Sequence, residues 1–202
     1  MKDLIVASRN KGKVQEIKEL LVGLPFNVSS LLDYQGLPDV VEDGKTYQEN
    51  ALKKAREIAI ATGKMTMSDD SGIEVKALNN APGIYSARFA GKGATDKDRN
   101  KKLFKMLQGV PHAKRQARYR CVIAWVDARG KKLGMVEGTC GGYITTKEIG
   151  DNGFGFDSVF WLNRYKKTFG QLPSSVKSKI SHRARALKKF RQAITSVNSF
   201  DK

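Results

Sequence analysis

Cysteine and histidine are scarce in this chain, with only Cys121, Cys140, His112 and His182 present. Two cysteines spaced in this way suit neither a disulfide scaffold nor a zinc site, so buried free thiols are expected. Long hydrophobic runs are missing too. The longest uncharged apolar stretches, such as Cys121-Val122-Ile123-Ala124-Trp125-Val126, fall far short of the ~20 residues that span a bilayer. The apolar run Leu4-Ile5-Val6-Ala7 near the start is too short for the core of a signal peptide. A cytoplasmic protein with no membrane partner is expected. There are no internal repeats, low-complexity tracts or Pro/Ser-rich linkers. Above all, the C-terminal part lacks negative charge. Residues 158 to 200 contain no Asp or Glu, but they contain Arg164, Lys166, Lys167, Lys177, Lys179, Arg183, Arg185, Lys188, Lys189 and Arg191.

The whole chain carries a formal net charge of +17. Such a field favours anions, among them nucleotides, nucleic acid and anionic surfaces. A merely solvated basic surface is the plainer reading of most of these side chains. At 202 residues, 40% of them hydrophobic, the chain fits one domain, residues 1–202, or one core with a small lobe.

Against this basic background stands the segment Ser68-Asp69-Asp70-Ser71-Gly72-Ile73. Adjacent carboxylates and a hydroxyl are the donor types that hold a hard cation such as Mg²⁺. A carboxylate pair in a basic protein suggests a metal meeting a polyphosphate.

The remaining pattern predicts mixed strands and helices. Leu4–Ala7 reads as a buried strand, followed by a loop over 8–13 and a helix with Val14, Ile17 and Leu21 on one face. Residues 26–31 read as a second strand. Thr46-Tyr47-Gln48-Glu49 is a capping box that opens a helix ending near Gly63. A strand over 64–68 then delivers Asp69 and Asp70, with Gly72 free to bend. Residues 96–107 read as a charged surface helix. Residues 119–126 and 133–138 read as a hairpin about the turn Asp127-Ala128-Arg129-Gly130. Ser181 is expected to cap a last helix whose apolar face is Leu187, Phe190 and Ile194. Without strict β-α-β alternation, the fold class expected is α/β or α+β with a mixed sheet.

Four segments carry candidate chemistry. The loop Ser8-Arg9-Asn10-Lys11-Gly12-Lys13 leads from a strand into a helix, whose unpaired N–H groups suit phosphate; a plain βα turn is the alternative. Val41-Glu42-Asp43-Gly44 is an acidic turn that could complete a metal site with Asp70. Gly153-Phe154-Gly155-Phe156-Asp157 leaves a ring accessible for stacking on a base, or else is a glycine-rich strand end with core phenylalanines. In Lys177-Ser178-Lys179-Ile180-Ser181-His182-Arg183, cations at a helix start oppose its dipole, a conflict that a bound anion would relieve.

Together these segments resemble the inosine triphosphate pyrophosphatases, which remove deaminated purine nucleotides from the nucleotide pool. The likeness runs from Ser8–Lys13 through Glu49-Asn50-Ala51 with Lys54, Asp69–Gly72, Ala81-Pro82-Gly83-Ile84-Tyr85-Ser86-Ala87-Arg88 and Gly153–Asp157 to Ser181-His182-Arg183. The resemblance implies an elongated α/β fold, two lobes about a central mixed sheet, with the substrate in the cleft between them. It implies a homodimer and a Mg²⁺-dependent hydrolase acting on acid anhydrides. The reaction splits ITP, dITP or XTP between the α and β phosphorus atoms into the monophosphate and pyrophosphate.

By that resemblance, Ser8, Arg9, Asn10, Lys11, Gly12 and Lys13 form the triphosphate loop. Glu42 and Asp70 are Mg²⁺ ligands, and Asp70 also accepts the proton of the attacking water. Asp69 and Lys54 support them, and Ser71 contacts substrate. Phe154, Gly155, Phe156 and Asp157 form the base pocket, with Phe154 stacked on the base. Lys177, His182 and Arg183 read the purine 6-oxo edge, which adenine lacks.

The chain departs from the family pattern at Arg9, where Gly is usual, and at Ser158, where Pro is usual. If that backbone needs positive φ, Arg9 is strained by about 1–2 kcal/mol. Two other readings compete. One is a nucleic-acid-binding module using the basic C-terminal part, non-specific in kind; it leaves the acidic segments without a role. The other is a related pyrophosphatase for modified pyrimidines, against which the Ser-His-Arg and Phe-Gly-Phe-Asp segments count.

Overall fold

The computed structural model describes residues 1–197. The strands are β1 (Lys2–Val6), β2 (Phe26–Ser30), β3 (Thr66–Val75), β4 (Gln116–Val126), β5 (Lys132–Ile144), β6 (Phe160–Leu162) and β7 (Lys167–Thr168). The helices are α1 (Lys11–Leu21), α2 (Tyr47–Thr62), α3 (Asp96–Met106), α4 (Ser174–Ile180) and α5 (His182–Val197). The strands form a single seven-stranded sheet in the order β2-β1-β3-β4-β5-β6-β7. It is mixed: β1 runs parallel to β2 and β3, while β6 is antiparallel to β5 and β7.

The chain divides into two compact units. Among the described residues, one comprises residues 1–70, 121–138 and 183–197; the other comprises residues 71–120 and 139–182. In the first, Leu4 and Val6 join Met67, Cys121, Ile123 and Trp125 beneath Val14, Ile17 and Leu21 of α1 and Leu187 and Phe190 of α5. Ile5 and Ala7 pack instead with Leu31 and Ile58 of α2. Alternate side chains of a strand point to opposite faces, so residues 4–7 are covered on both sides and read as an unbroken apolar run. The second unit has its own core of Ile73, Val75, Leu103, Leu107, Tyr119, Ile144, Phe156, Phe160 and Phe169.

Several boundaries differ from expectation. Helix α1 begins at Lys11 because Asn10 caps it, its side chain accepting from the Lys13 N–H. The expected loop thus contributes its last three residues to a first helical turn. At α2, Thr46 accepts from Glu49 N–H, but the Glu49 carboxylate turns to the Lys45 N–H at 2.6 Å. Strand β3 does not stop at Ser68; it runs through both aspartates and Gly72 to Val75. The hairpin strands likewise extend beyond their expected ends, to 116–126 and 132–144. Helix α4, behind Pro173, was not foreseen; it closes at Ser181, whose extended backbone precedes α5. Cys121 and Cys140 are buried free thiols, as expected.

Candidate active site

The geometry begins with β3. Its alternation sends the side chains of Asp69 and Asp70 to opposite faces, and their partners differ accordingly. Asp69 faces α1 and α5. Its Oδ2 lies 3.2 Å from Lys13 Nζ and 3.1 Å from Arg183 Nη2. Arg183 is also paired with Glu16 of α1. Asp69 and Arg183 are both fully buried. Burial opposes the charge of Asp69, but Lys13, Arg183 and Lys54 outweigh it and hold this carboxyl far below the usual range. Burial likewise works against the Arg183 charge, and Asp69 and Glu16 overcome it, so the guanidinium stays charged.

Asp70 faces α2. Asn50 Nδ2 donates to Asp70 Oδ2 at 3.1 Å, and Asn50 Oδ1 accepts from Gly44 N–H at 2.8 Å. One buried amide therefore ties the acidic turn 41–44 to the carboxylate. The α2 residue Lys54 lies one turn further on. Its Nζ is 2.5 Å from Glu42 Oε1, 2.8 Å from the Asp69 carbonyl and 4.0 Å from Asp70 Oδ1. Burial raises the Asp70 carboxyl; Lys54 and Lys13 pull it down, Glu42 pushes it up, and the balance lies above the ordinary value. For Glu42, burial is offset by Lys54 and Lys13, and the balance lies below. Lys54 loses by burial and gains more from Glu42, Asp70 and Asp69, so it is held protonated.

The loop before α1 is internally bonded. Ser8 Oγ accepts from Asn10 N–H, and Asn10 Oδ1 from Lys13 N–H. Lys11 is exposed and Gly12 half-buried. Arg9 does not have positive φ, so the strain considered for this departure is absent. Its guanidinium reaches back to the segment 31–39. Ser71 follows in β3 and is half-buried.

A second group lies in the other unit. Gly153 and Gly155 both have positive φ, and a Cβ on Gly153 would sit 2.2 Å from Asp157 Oδ2. That oxygen accepts from the Phe154 N–H at 3.0 Å and lies 2.5 Å from Lys177 Nζ. The ammonium is also 4.6 Å from the centre of the Phe154 ring. Phe154 is half-buried, whereas Phe156 is a core residue. His182 lies flat on Tyr119, with ring centres 4.4 Å apart and planes 4° apart. Of the residues grouped by sequence at the base edge, Lys177 thus stands with Phe154 and Asp157, and His182 stands on Tyr119, whose hydroxyl is 3.5 Å from Asp157 Oδ1. Arg183 is instead paired with Asp69 and Glu16. The cation that seemed to need a bound anion at the start of α5 finds its anions within the chain.

Sequence reasoning did not single out Tyr119, Asp96 or Glu16. Asp96 Oδ2 accepts from Gly155 N–H at 2.6 Å and so holds the glycine loop to α3. Tyr119 reads as one more apolar position of an alternating strand. No local signal marks Glu16, a charged residue on a helix of charged residues.

Mg²⁺ is commonly bound through one or two carboxylates, with waters and substrate phosphates completing the shell. Glu42 and Asp70 flank the same ammonium, and the charge of Glu42 raises the cost of ionising Asp70, a cost that a cation would relieve. Among the described residues, no three or more His, Cys, Asp or Glu side chains form a group that could hold a metal. The residues present fit an ion shared with substrate, not an all-protein cage. No helix among the described residues is long and apolar enough to cross a membrane.

A profile of the Ham1 family matches residues 4–193. The chain is 47% identical over 186 residues to a dITP/XTP pyrophosphatase of Desulforamulus reducens, covering 92% of each chain. It is 46% identical over 189 residues to the protein of that name from Bacillus licheniformis, covering 94% of this chain and 96% of the other. The solved structure of a HAM1 protein from Coxiella burnetii superposes with a TM-score of 0.88 at 36% identity, covering 97% of this chain and all of that one.

Proposed function

The chain belongs to the Ham1 family, and on that footing we propose that it is a Mg²⁺-dependent nucleoside-triphosphate diphosphatase. It hydrolyses ITP, dITP and XTP to the monophosphate and pyrophosphate. The relatives named dITP/XTP pyrophosphatase support the substrate class. We read the protein as a cytoplasmic homodimer, following the family resemblance.

The observation that carries the reading is the environment of Asp70. A buried carboxylate with a raised affinity for protons, held in place by Asn50, is suited to take a proton from water. Glu42 and Asp70 would hold Mg²⁺, which when bound offsets triphosphate charge and makes bound water more acidic. Lys54 stays protonated and keeps Glu42 and the β3 backbone in register. Lys13, on the first turn of α1, presents its charge with the N–H groups of that turn to the phosphates. Asp69 is not a ligand in this reading; it fixes Lys13 and neutralises Arg183.

The base falls to the second group. Phe154 stacks on the purine, with its loop held by Asp157 and Asp96. Lys177 and His182 donate toward a 6-oxo group. An adenine amino group would leave those donors unmatched, and such a mismatch is a strong ground for rejection.

The test is product identity. Incubation of ITP with Mg²⁺ should release pyrophosphate and IMP in equal amounts, and EDTA should abolish the reaction. Release of orthophosphate, or full activity in EDTA, would overturn the proposal.

A further inference from the structure

Arg9 stands beside Asn10, the cap of α1, but its side chain serves another segment. Its Nε donates to Asp39 Oδ1 at 3.0 Å, its Nη1 to the Leu31 carbonyl at 3.0 Å and its Nη2 to the Leu37 carbonyl at 2.9 Å. All three nitrogens of one planar fork are thus engaged by a single stretch of chain. Lysine, with one nitrogen, cannot span these acceptors.

The stretch it grips is otherwise held by side chains, with Lys54 paired to Glu42 and Lys53 2.6 Å from Asp43 Oδ1 at its far end. Between Asp33 and Tyr47 there is neither helix nor strand. Tyr34, Leu37 and Val40 pack against the core of Ile5, Ala7, Leu31 and Ile58. Beyond Val40 the chain presents Glu42, and Gly44 is then caught by Asn50. Glu42, itself paired with Lys54, thus lies between two clamps on the backbone, Asn50 on its C-terminal side and Arg9 on its N-terminal side. The Asn50 clamp also holds Asp70. The Arg9 clamp is rooted in the turn that leads into Lys13.

We propose that Arg9 is a positioning residue that fixes the 34–43 segment and thereby sets Glu42 for the metal. The inference rests on the reading of Glu42 as a Mg²⁺ ligand given above. It assigns Arg9 a different task from direct phosphate contact. Its guanidinium is spent on Asp39 and two carbonyls, so the charge reaches the nucleotide only through the geometry it imposes. The clamp links the phosphate loop to the segment that leads into the acidic turn.

The test uses the full chain with Arg9→Gly, Arg9→Lys and Glu42→Gln, and it has two readouts. Hydrogen–deuterium exchange without metal or nucleotide reports the clamp directly. Loss of all three hydrogen bonds in Arg9→Gly, and of at least two in Arg9→Lys, should speed exchange across residues 34–43 roughly tenfold or more, with α2 and β3 unchanged. The Mg²⁺ concentration giving half-maximal ITP hydrolysis should rise roughly 5- to 20-fold in both Arg9 variants, and the ITP-to-ATP preference should stay as in wild type. Unchanged exchange across 34–43 would overturn the proposal. So would a normal Mg²⁺ requirement in Arg9→Lys, because charge alone would then suffice. If Glu42→Gln leaves the Mg²⁺ requirement untouched, the reading of Glu42 as a ligand fails. If Glu42→Gln raises that requirement and Arg9→Gly does not, only the role of Arg9 fails.

Discussion

Asp69 and Asp70 are neighbours in β3, yet their carboxyls are driven in opposite directions. Asp69 is held charged by Lys13 and Arg183, and Asp70 is pushed toward its protonated form by burial and by Glu42. The pleat of the strand is the cause, since it gives each side chain a different helix as neighbour. In the function proposed above, one carboxylate is a fixed counter-ion and the other the proton acceptor.

Asp69→Asn should therefore damage stability more than chemistry. It leaves Arg183 buried with a weakened set of anions, and breaking a buried pair costs about 3–5 kcal/mol. The folded carboxyl titrates below its unfolded value of about 3.9. Its stabilisation is thus fully present above that value and is lost as pH falls through the folded value. Urea unfolding should show a constant gap between wild type and Asp69→Asn from pH 7 to pH 5, closing only below about pH 4. A gap that closes between pH 7 and pH 5 would contradict the assignment.

Asp70→Asn should give the opposite profile. The amide keeps the shape and can still meet Asn50, but it cannot accept a proton. Turnover of ITP should fall on the order of 10²–10⁴-fold, with thermal stability kept or improved because a disfavoured buried charge is gone. Turnover within threefold of wild type would move the proton acceptor elsewhere.

The sheet and helix segments were largely legible because their apolar spacing is regular: Val14, Ile17 and Leu21 in α1 and Leu187, Phe190 and Ile194 in α5 are core residues as expected. The ends were not. Asp and Gly are poor strand formers, so β3 was expected to stop at Ser68, and the divergence of the two carboxylates was hidden with it. Tertiary ion pairs override that local preference. The partners of Arg183 were illegible for a related reason. Asp69 and Glu16 are remote in sequence, and the helix-dipole argument could say only that some anion was needed. The glycine loop 153–155 was read correctly as permissive backbone, but its anchor, Asp96, carries no local signature.

Tyr119 is expected to govern the pose of His182. A stacked ring pair contributes about 0.5–1.5 kcal/mol beyond its buried area. Tyr119→Leu should narrow the ITP-to-ATP ratio of kcat/KM roughly 2- to 10-fold. Tyr119→Phe keeps the ring and should keep the ratio. Equal ratios in wild type and Tyr119→Leu would show that the stack serves only the core.

Gly153→Ala tests the base loop by sterics. Positive φ costs a side chain about 1–2 kcal/mol, and the new Cβ would fall 2.2 Å from Asp157 Oδ2. Asp157 must yield, and with it the bonds to Phe154 N–H and Lys177. The melting temperature should fall and KM for ITP should rise. An unchanged KM would mean that Asp157 does not set the loop for substrate.

The most direct measurement compares kcat/KM for ITP and ATP, with pyrophosphate as the detected product, in wild type and His182→Ala. Wild type is expected to prefer ITP by a factor on the order of a hundred or more. Loss of the His182 donor should narrow that preference roughly 5- to 150-fold, the worth of one hydrogen bond of about 1–3 kcal/mol. No preference in wild type, or an equal loss on both nucleotides in the variant, would contradict the division of labour between a phosphate group centred on Asp70 and a base group centred on Phe154 and His182.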